Sequence, residues 1–114
     1  MKTKTPLLIA GTLLVAFIGL TPAHAEIDAD AAKKLAKKED CFKCHAINKT
    51  KKGPSLKKIA AKYKDKADGE EKAIKNMTTG PKVKLEDGTE EDHKIMEMKD
   101  PAQLKNLAQW ILAQ

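Results

Sequence analysis

The chain has 114 residues, a length that fits one domain, and carries 22 lysines without a single arginine against 16 acidic residues, for a formal net charge of +6. The lack of arginine argues against a nucleic-acid partner, because bidentate contacts to phosphate and guanine favour guanidinium. Only 4% of the residues are aromatic, so side chains alone furnish a thin core for a domain of this size.

The first 25 residues read as a separate unit. Met1-Lys2-Thr3-Lys4 is a short basic start, Leu7 to Leu20 is an uncharged apolar run, and Ala23-His24-Ala25 supplies a small-x-small cleavage pattern. Together they describe a cleaved secretory signal peptide over residues 1–25. The 14-residue run is shorter than the roughly 20 residues a membrane-spanning helix needs, which disfavours an uncleaved anchor. The expected mature domain is residues 26–114. It keeps 20 lysines once Lys2 and Lys4 are removed, against the same 16 acids, and its aromatic residues are Phe42, Tyr63 and Trp110. A buried macrocycle would supply the apolar bulk that these side chains do not.

Four helical segments follow in chain order, with no alternating strand pattern between them. Asp28 or Asp30 caps a first helix running to about Glu39, with Ala32, Leu35 and Ala36 on one face. Gly53-Pro54 ends a lysine-rich loop, and Ser55 caps a second helix carrying Leu56, Ile59, Ala60 and Tyr63 at helical spacing. Asp68 with Glu71 makes a capping box for a third helix with Ile74 and Met77, closed by Gly80 and Pro81. Residues 81–99 read as a charged loop, and a loop that long in so small a domain is usually functional or disordered. Asp100, Pro101 and Gln103 announce the last helix, whose Leu104, Leu107, Ala108 and Ile111 form an apolar stripe.

The chemistry sits at Cys41-Phe42-Lys43-Cys44-His45. This Cys-x-x-Cys-His spacing places two thiols a turn apart and an imidazole directly after the second. Such an arrangement suits one planar ligand: thioether bonds from Cys41 and Cys44 to the vinyl groups of haem, with His45 as an axial ligand to iron. A thioredoxin-like redox pair would require a βαβ context, and a zinc site would have only His93 as a further imidazole in the mature chain. A structural disulfide would leave the thin core unexplained. Secretion agrees with covalent haem, which is attached outside the cytoplasm.

With these residues in place, the chain from Cys41 onward resembles the small class I c-type cytochromes of bacteria, which carry one haem. The likeness is carried by Cys41 to Ile47, Gly53 to Tyr63 and Asn106 to Gln114. It implies an all-α, cytochrome c-like fold with about four short helices around one covalently bound haem c and its iron. It also implies that Pro54 offers its carbonyl to the other ring nitrogen of His45, and that the first and last helices cross, bringing Leu35 and Ala36 against Leu107 and Trp110. Trp110 itself reads as a packing residue.

The sixth iron ligand is where the chain departs from this family. Most members present methionine from a Pro-Met-Pro-Pro-like loop, which is missing here. The candidates are His93, Met96, Met98 and Met77. Met77 reads as a core residue by helical spacing, and Met98 lies only two residues before the Asp100 cap. His93 lies seven residues before that cap, where the family's ligand usually falls, and some similar sequences carry histidine there. His93 is therefore the preferred ligand and Met96 the alternative, while a solvent-facing His93 among Glu91, Asp92 and Lys94 is the plain structural reading. Methionine would raise the reduction potential, a second imidazole would lower it, and an open site would admit small gases.

The expected function is periplasmic transfer of single electrons among redox proteins such as other cytochromes, oxidases or reductases, with membranes engaged only through partners. Dispersed lysines suit transient docking to acidic partners as well as plain solubility. The competing reading is a haem protein that binds or senses nitric oxide or carbon monoxide through a displaceable sixth ligand. An enzyme such as a peroxidase is not expected, because no distal acid–base pair is recognisable.

Overall fold

The computed structural model describes residues 26–114, together with the isolated positions Gly11, Ala16 and Gly19. The expected signal peptide, residues 1–25, otherwise lies outside the described residues. The chain order is α1 (Ala29–Lys38), a 3-10 turn (Cys41–Lys43), α2 (Leu56–Tyr63), α3 (Gly69–Thr79), β1 (Lys82–Lys84), β2 (Glu90–Asp92) and α4 (Pro101–Leu112). Among the described residues, no helix is long and apolar enough to cross a membrane.

Local chemistry accounts for most of the helix ends. The Asp28 side chain accepts from the Ala31 N–H at 2.9 Å, Ser55 Oγ accepts from the Lys58 N–H at 3.1 Å, and Asp100 accepts from the Ala102 N–H. Each side chain satisfies an amide that the first helical turn leaves unpaired. Pro101 occupies the start of α4, where its missing N–H costs nothing.

The capping box expected for α3 does not form. Asp68 makes no side-chain cap, with φ −102° and ψ 13° where a capping residue is normally extended. The preceding residues wind into successive turns, with the Lys66 N–H donating to the Tyr63 carbonyl and the Gly69 N–H to the Lys66 carbonyl. Asp68 is thereby held away from extended geometry, and its carboxylate pairs with Lys72 at 2.9 Å.

Helix α4 is the centre of the molecule, packing against α1, α2 and α3. Its Leu104, Leu107, Ala108, Trp110 and Ile111 are buried in one cluster with Ala32, Leu35 and Ala36 of α1. The crossing of α1 and α4 is fastened at one end by a reciprocal pair. The Asp28 N–H donates to Asn106 Oδ1 and Asn106 Nδ2 donates to the Asp28 carbonyl, both at 2.9 Å. The core is thin, as the composition implied: Leu107 is the one large side chain that is fully buried among the described residues.

The segment after α3 corrects the strand-free reading. β1 and β2 form a two-stranded antiparallel hairpin with Lys82 opposite Asp92, Val83 opposite Glu91 and Lys84 opposite Glu90. Three-residue strands with most residues exposed carry no hydrophobic alternation. Two of the three facing pairs are instead of opposite charge, with Lys82 and Asp92 3.3 Å apart, a cross-strand preference that leaves no periodic trace in the sequence. The fold is mostly helical with this small sheet added.

Candidate functional site

The site begins where α1 ends. Asp40 takes a left-handed conformation, φ 61°, which separates α1 from the Cys41–Lys43 turn. Asp is among the few non-glycine residues that visit this region readily. The Cys44 and His45 amides both donate to the Cys41 carbonyl, at 3.2 and 2.9 Å, so the two cysteines bracket a single turn. Both thiols are free and half-buried. Burial pushes the Cys41 thiol above its ordinary pKa, with the charge of Glu39 adding in the same direction.

The lysine-rich loop then folds back over the motif. The Gly53 N–H donates to the Cys44 carbonyl at 2.8 Å, and the Leu56 N–H to the Ala46 carbonyl at 2.9 Å. A side chain at Gly53 would place its Cβ 2.9 Å from Cε1 of His45, so the close approach of backbone to ring requires glycine. The sequence marks Gly53 as a chain breaker within the second stretch of likeness and does not show this contact. The next residue supplies the bond that the resemblance implied: His45 Nδ1 donates to the Pro54 carbonyl at 2.7 Å. A carbonyl can only accept, so Nδ1 holds the proton and Nε2 keeps its lone pair. Burial lowers the His45 pKa, opposed by the Pro54 carbonyl and aided by His93. The neutral, metal-ligating form of the ring is therefore favoured.

His93 arrives from the far side of the chain. Its N–H donates to the Pro81 carbonyl at 2.8 Å, and its Nδ1 donates to the Lys94 carbonyl at 2.9 Å, so it too keeps a free Nε2. Gly80, which ends α3 at φ 62°, permits this path: a Cβ there would lie 2.8 Å from Ile95 Cγ1 and 3.0 Å from the His93 carbonyl oxygen. The ring centres of His45 and His93 are 6.2 Å apart, with the planes tilted by 34°. An imidazole nitrogen about 2 Å from a metal puts its ring centre about 3 Å away, so two imidazoles on opposite sides of one ion stand about 6 Å apart.

The methionine candidates pack into or against the core. Met96 is 3% exposed and belongs to the buried cluster with Met77, whose carbonyl accepts the Met96 N–H at 2.8 Å. Met98 is half-buried against the same cluster. Half-buried Phe42, Ile47 and Ile59 also pack on it, offering apolar surface that suits a flat macrocycle. The residues present thus fit a haem: two thiols on one turn, a neutral imidazole beside them and a second imidazole at a matching distance.

Several residues around the site were not singled out by sequence reasoning. The Glu39 carboxylate accepts from the Glu97 and Met98 amides, and Lys94 Nζ donates to the Glu39 carbonyl. Lys52 pairs with Glu91 at 2.8 Å, joining the loop before Gly53 to the hairpin. Glu39 left one sequence signal, since an acid at the C-terminal end of a helix opposes the helix dipole.

Comparison with known proteins agrees with this geometry. The family model described as cytochrome c matches residues 29–114. The crystal structure of the class 1 cytochrome MtoD from Sideroxydans lithotrophicus ES-1 superposes with a TM-score of 0.74 at 50% identity, covering 77% of this chain and 97% of that one. Wild-type cytochrome c552 of Nitrosomonas europaea gives a TM-score of 0.56 at 34% identity over 70% of this chain and 95% of that one. A curated cytochrome c-552 from the same organism is 49% identical over 49 residues, so the matched stretch spans 44% of its length and 43% of this chain. The match to the family over most of the chain, the superposition on a class 1 cytochrome and the paired thiols beside a neutral imidazole lead to one conclusion: this protein belongs to the cytochrome c family, as a small class I electron-carrier haem protein with one covalent haem c and its iron.

Proposed function

We propose that residues 26–114 act outside the cytoplasm, in the periplasm, as a single-electron carrier between redox proteins, after a signal peptide over residues 1–25 directs export. In this reading Cys41 and Cys44 would form the thioethers, His45 and His93 would ligate the iron, and the Pro54 carbonyl orients His45. The observation that carries it is the 6.2 Å separation of two imidazoles that both commit Nδ1 to a backbone carbonyl. When bound, haem supplies a one-electron ferric/ferrous couple, and a second imidazole in place of methionine tunes that couple to lower potential.

The chain's own residues do the remaining work. Backbone carbonyls lock both ring tautomers, so each ligand keeps its orientation while the charge at the centre changes. Pre-set ligands minimise the rearrangement that accompanies electron exchange. The 20 lysines of this segment are dispersed, which favours brief encounters with acidic partner surfaces.

The test is optical and by mass. Protein matured in a host that attaches haem should begin at Glu26, weigh one haem more than the trimmed polypeptide, and give low-spin spectra in both oxidation states that carbon monoxide leaves unchanged. A ferrous spectrum that shifts under carbon monoxide would move the assignment to a gas-binding protein. A sulfur-to-iron charge-transfer band in the ferric protein would move the sixth ligand to Met96.

A further inference from the structure

Glu39 is the buried acid of the described residues, 4% exposed. It stands at the C-terminal cap of α1, where the helix dipole disfavours negative charge. A carboxylate in such a place is costly unless its oxygens are fully engaged. Both are: Oε2 accepts from the Glu97 N–H at 2.9 Å and Oε1 from the Met98 N–H at 3.0 Å, across 58 and 59 residues of chain. The same segment is gripped from the other direction. Lys94 Nζ donates to the Glu39 carbonyl at 2.9 Å and lies 3.4 Å from the Asp40 carboxylate.

These contacts fasten residues 94–98 to the two residues directly ahead of Cys41. His93 stands at the start of the gripped stretch, with its own N–H tied to the Pro81 carbonyl. Met96 stands in its middle, turned into the core beside Met77. A loop pinned on both sides of His93 cannot drift by the several ångströms that exchanging one ligand for another requires, since each residue spans at most about 3.6 Å.

We propose that Glu39 is a positioning residue that clasps the 94–98 loop to the haem-attachment segment, so that His93 stays at the iron and neither a methionine nor a small gas displaces it. This rests on the reading of His93 as the sixth ligand. Charge-assisted bonds to backbone amides are the stronger kind, and the clasp uses two of them on adjacent residues.

The experiment uses the haem-loaded protein with Glu39→Ala and Glu39→Gln. Glutamine preserves the shape but keeps one acceptor oxygen, so it should hold one of the two amides. In Glu39→Ala, hydrogen exchange at the Glu97 and Met98 amides should accelerate by at least about tenfold, and the ferrous protein should bind carbon monoxide that the unaltered protein ignores. Glu39→Gln should fall between the two. Unchanged exchange at both amides would overturn the proposal, and so would faster exchange with no carbon monoxide binding, since the carboxylate would then hold the fold and not the ligand. If Glu39→Ala fails to fold, Glu39→Gln carries both readouts with the same criteria. His93→Ala, with Glu39 intact, separates the two readings: a low-spin spectrum unchanged by that substitution removes the ligand assignment while the amide exchange of the Glu39 variants still reports on the clasp.

Discussion

The Nδ1 of His45 and the carbonyl of Pro54 are 2.7 Å apart, and Gly53, directly before that proline, has its backbone against the same ring. Gly53→Ala would therefore press a methyl group onto His45 Cε1. Overpacking of this kind costs roughly 1–3 kcal/mol. We expect a lower thermal midpoint and a shifted reduction potential, because the ring must tilt away from the proline carbonyl. A Gly53→Ala protein with the parent's midpoint and potential would show that the ring has room to spare.

His93 carries the second expectation. Its replacement by alanine removes the imidazole 6.2 Å from His45, so the ferric haem should become high-spin and the ferrous haem should become open to carbon monoxide. Exogenous imidazole should restore the low-spin spectrum, a rescue that a merely structural histidine would not give. Retention of the low-spin spectrum without added imidazole would transfer the role to Met96.

Asn106 tests the crossing of the terminal helices. Asn106→Ala removes both hydrogen bonds to the Asp28 backbone. The pair is exposed, so the net loss is about 1 kcal/mol, or about 4–8 °C in Tm for a domain of this size. Calorimetry of the haem-loaded protein measures it, and the visible spectrum should be unaffected. A spectral change would mean that the α1–α4 crossing reaches the haem more directly than its position at the N-terminal end of α1 implies.

The Asp68–Lys72 pair makes stability depend on pH at both extremes. The hydrogen bond from Lys72 holds the Asp68 pKa below its ordinary value, and the same bond raises that of Lys72. For the lowered acid, the stabilisation is present above the ordinary carboxylate range, near about 3.9, and is lost as pH falls through the folded value. For the raised base, it is present below the ordinary lysine range, near about 10.4, and is lost as pH rises through the folded value. Asp68→Asn should therefore be less stable than the parent at neutral pH by a small margin. The two should converge both in strong acid and above the lysine range. A constant difference across pH would assign the effect to the local turn and not to the charges.

Much of the helical scaffold was legible because its signals are local. Asp28, Ser55 and Asp100 cap amides two or three residues away, and the stripe Leu104, Leu107, Ala108, Ile111 announces a buried face by period alone. The capping box at Asp68 failed for a reason that pattern does not carry. The turns between Tyr63 and Gly69 set the backbone of the capping residue.

By itself the sequence determined the Cys-x-x-Cys-His motif and the four helices, which follow from residue types at short, regular spacing, and its low aromatic content pointed to a macrocycle completing a thin core. Tertiary structure alone decided that His93 comes to 6.2 Å from His45, how charged residues 82–92 pair as a hairpin, and that Glu39 reaches the amides of Glu97 and Met98. The physical reason is the same in each case. The partners are backbone groups or polar side chains outside the helical period, and neither leaves a periodic mark in the order of residues.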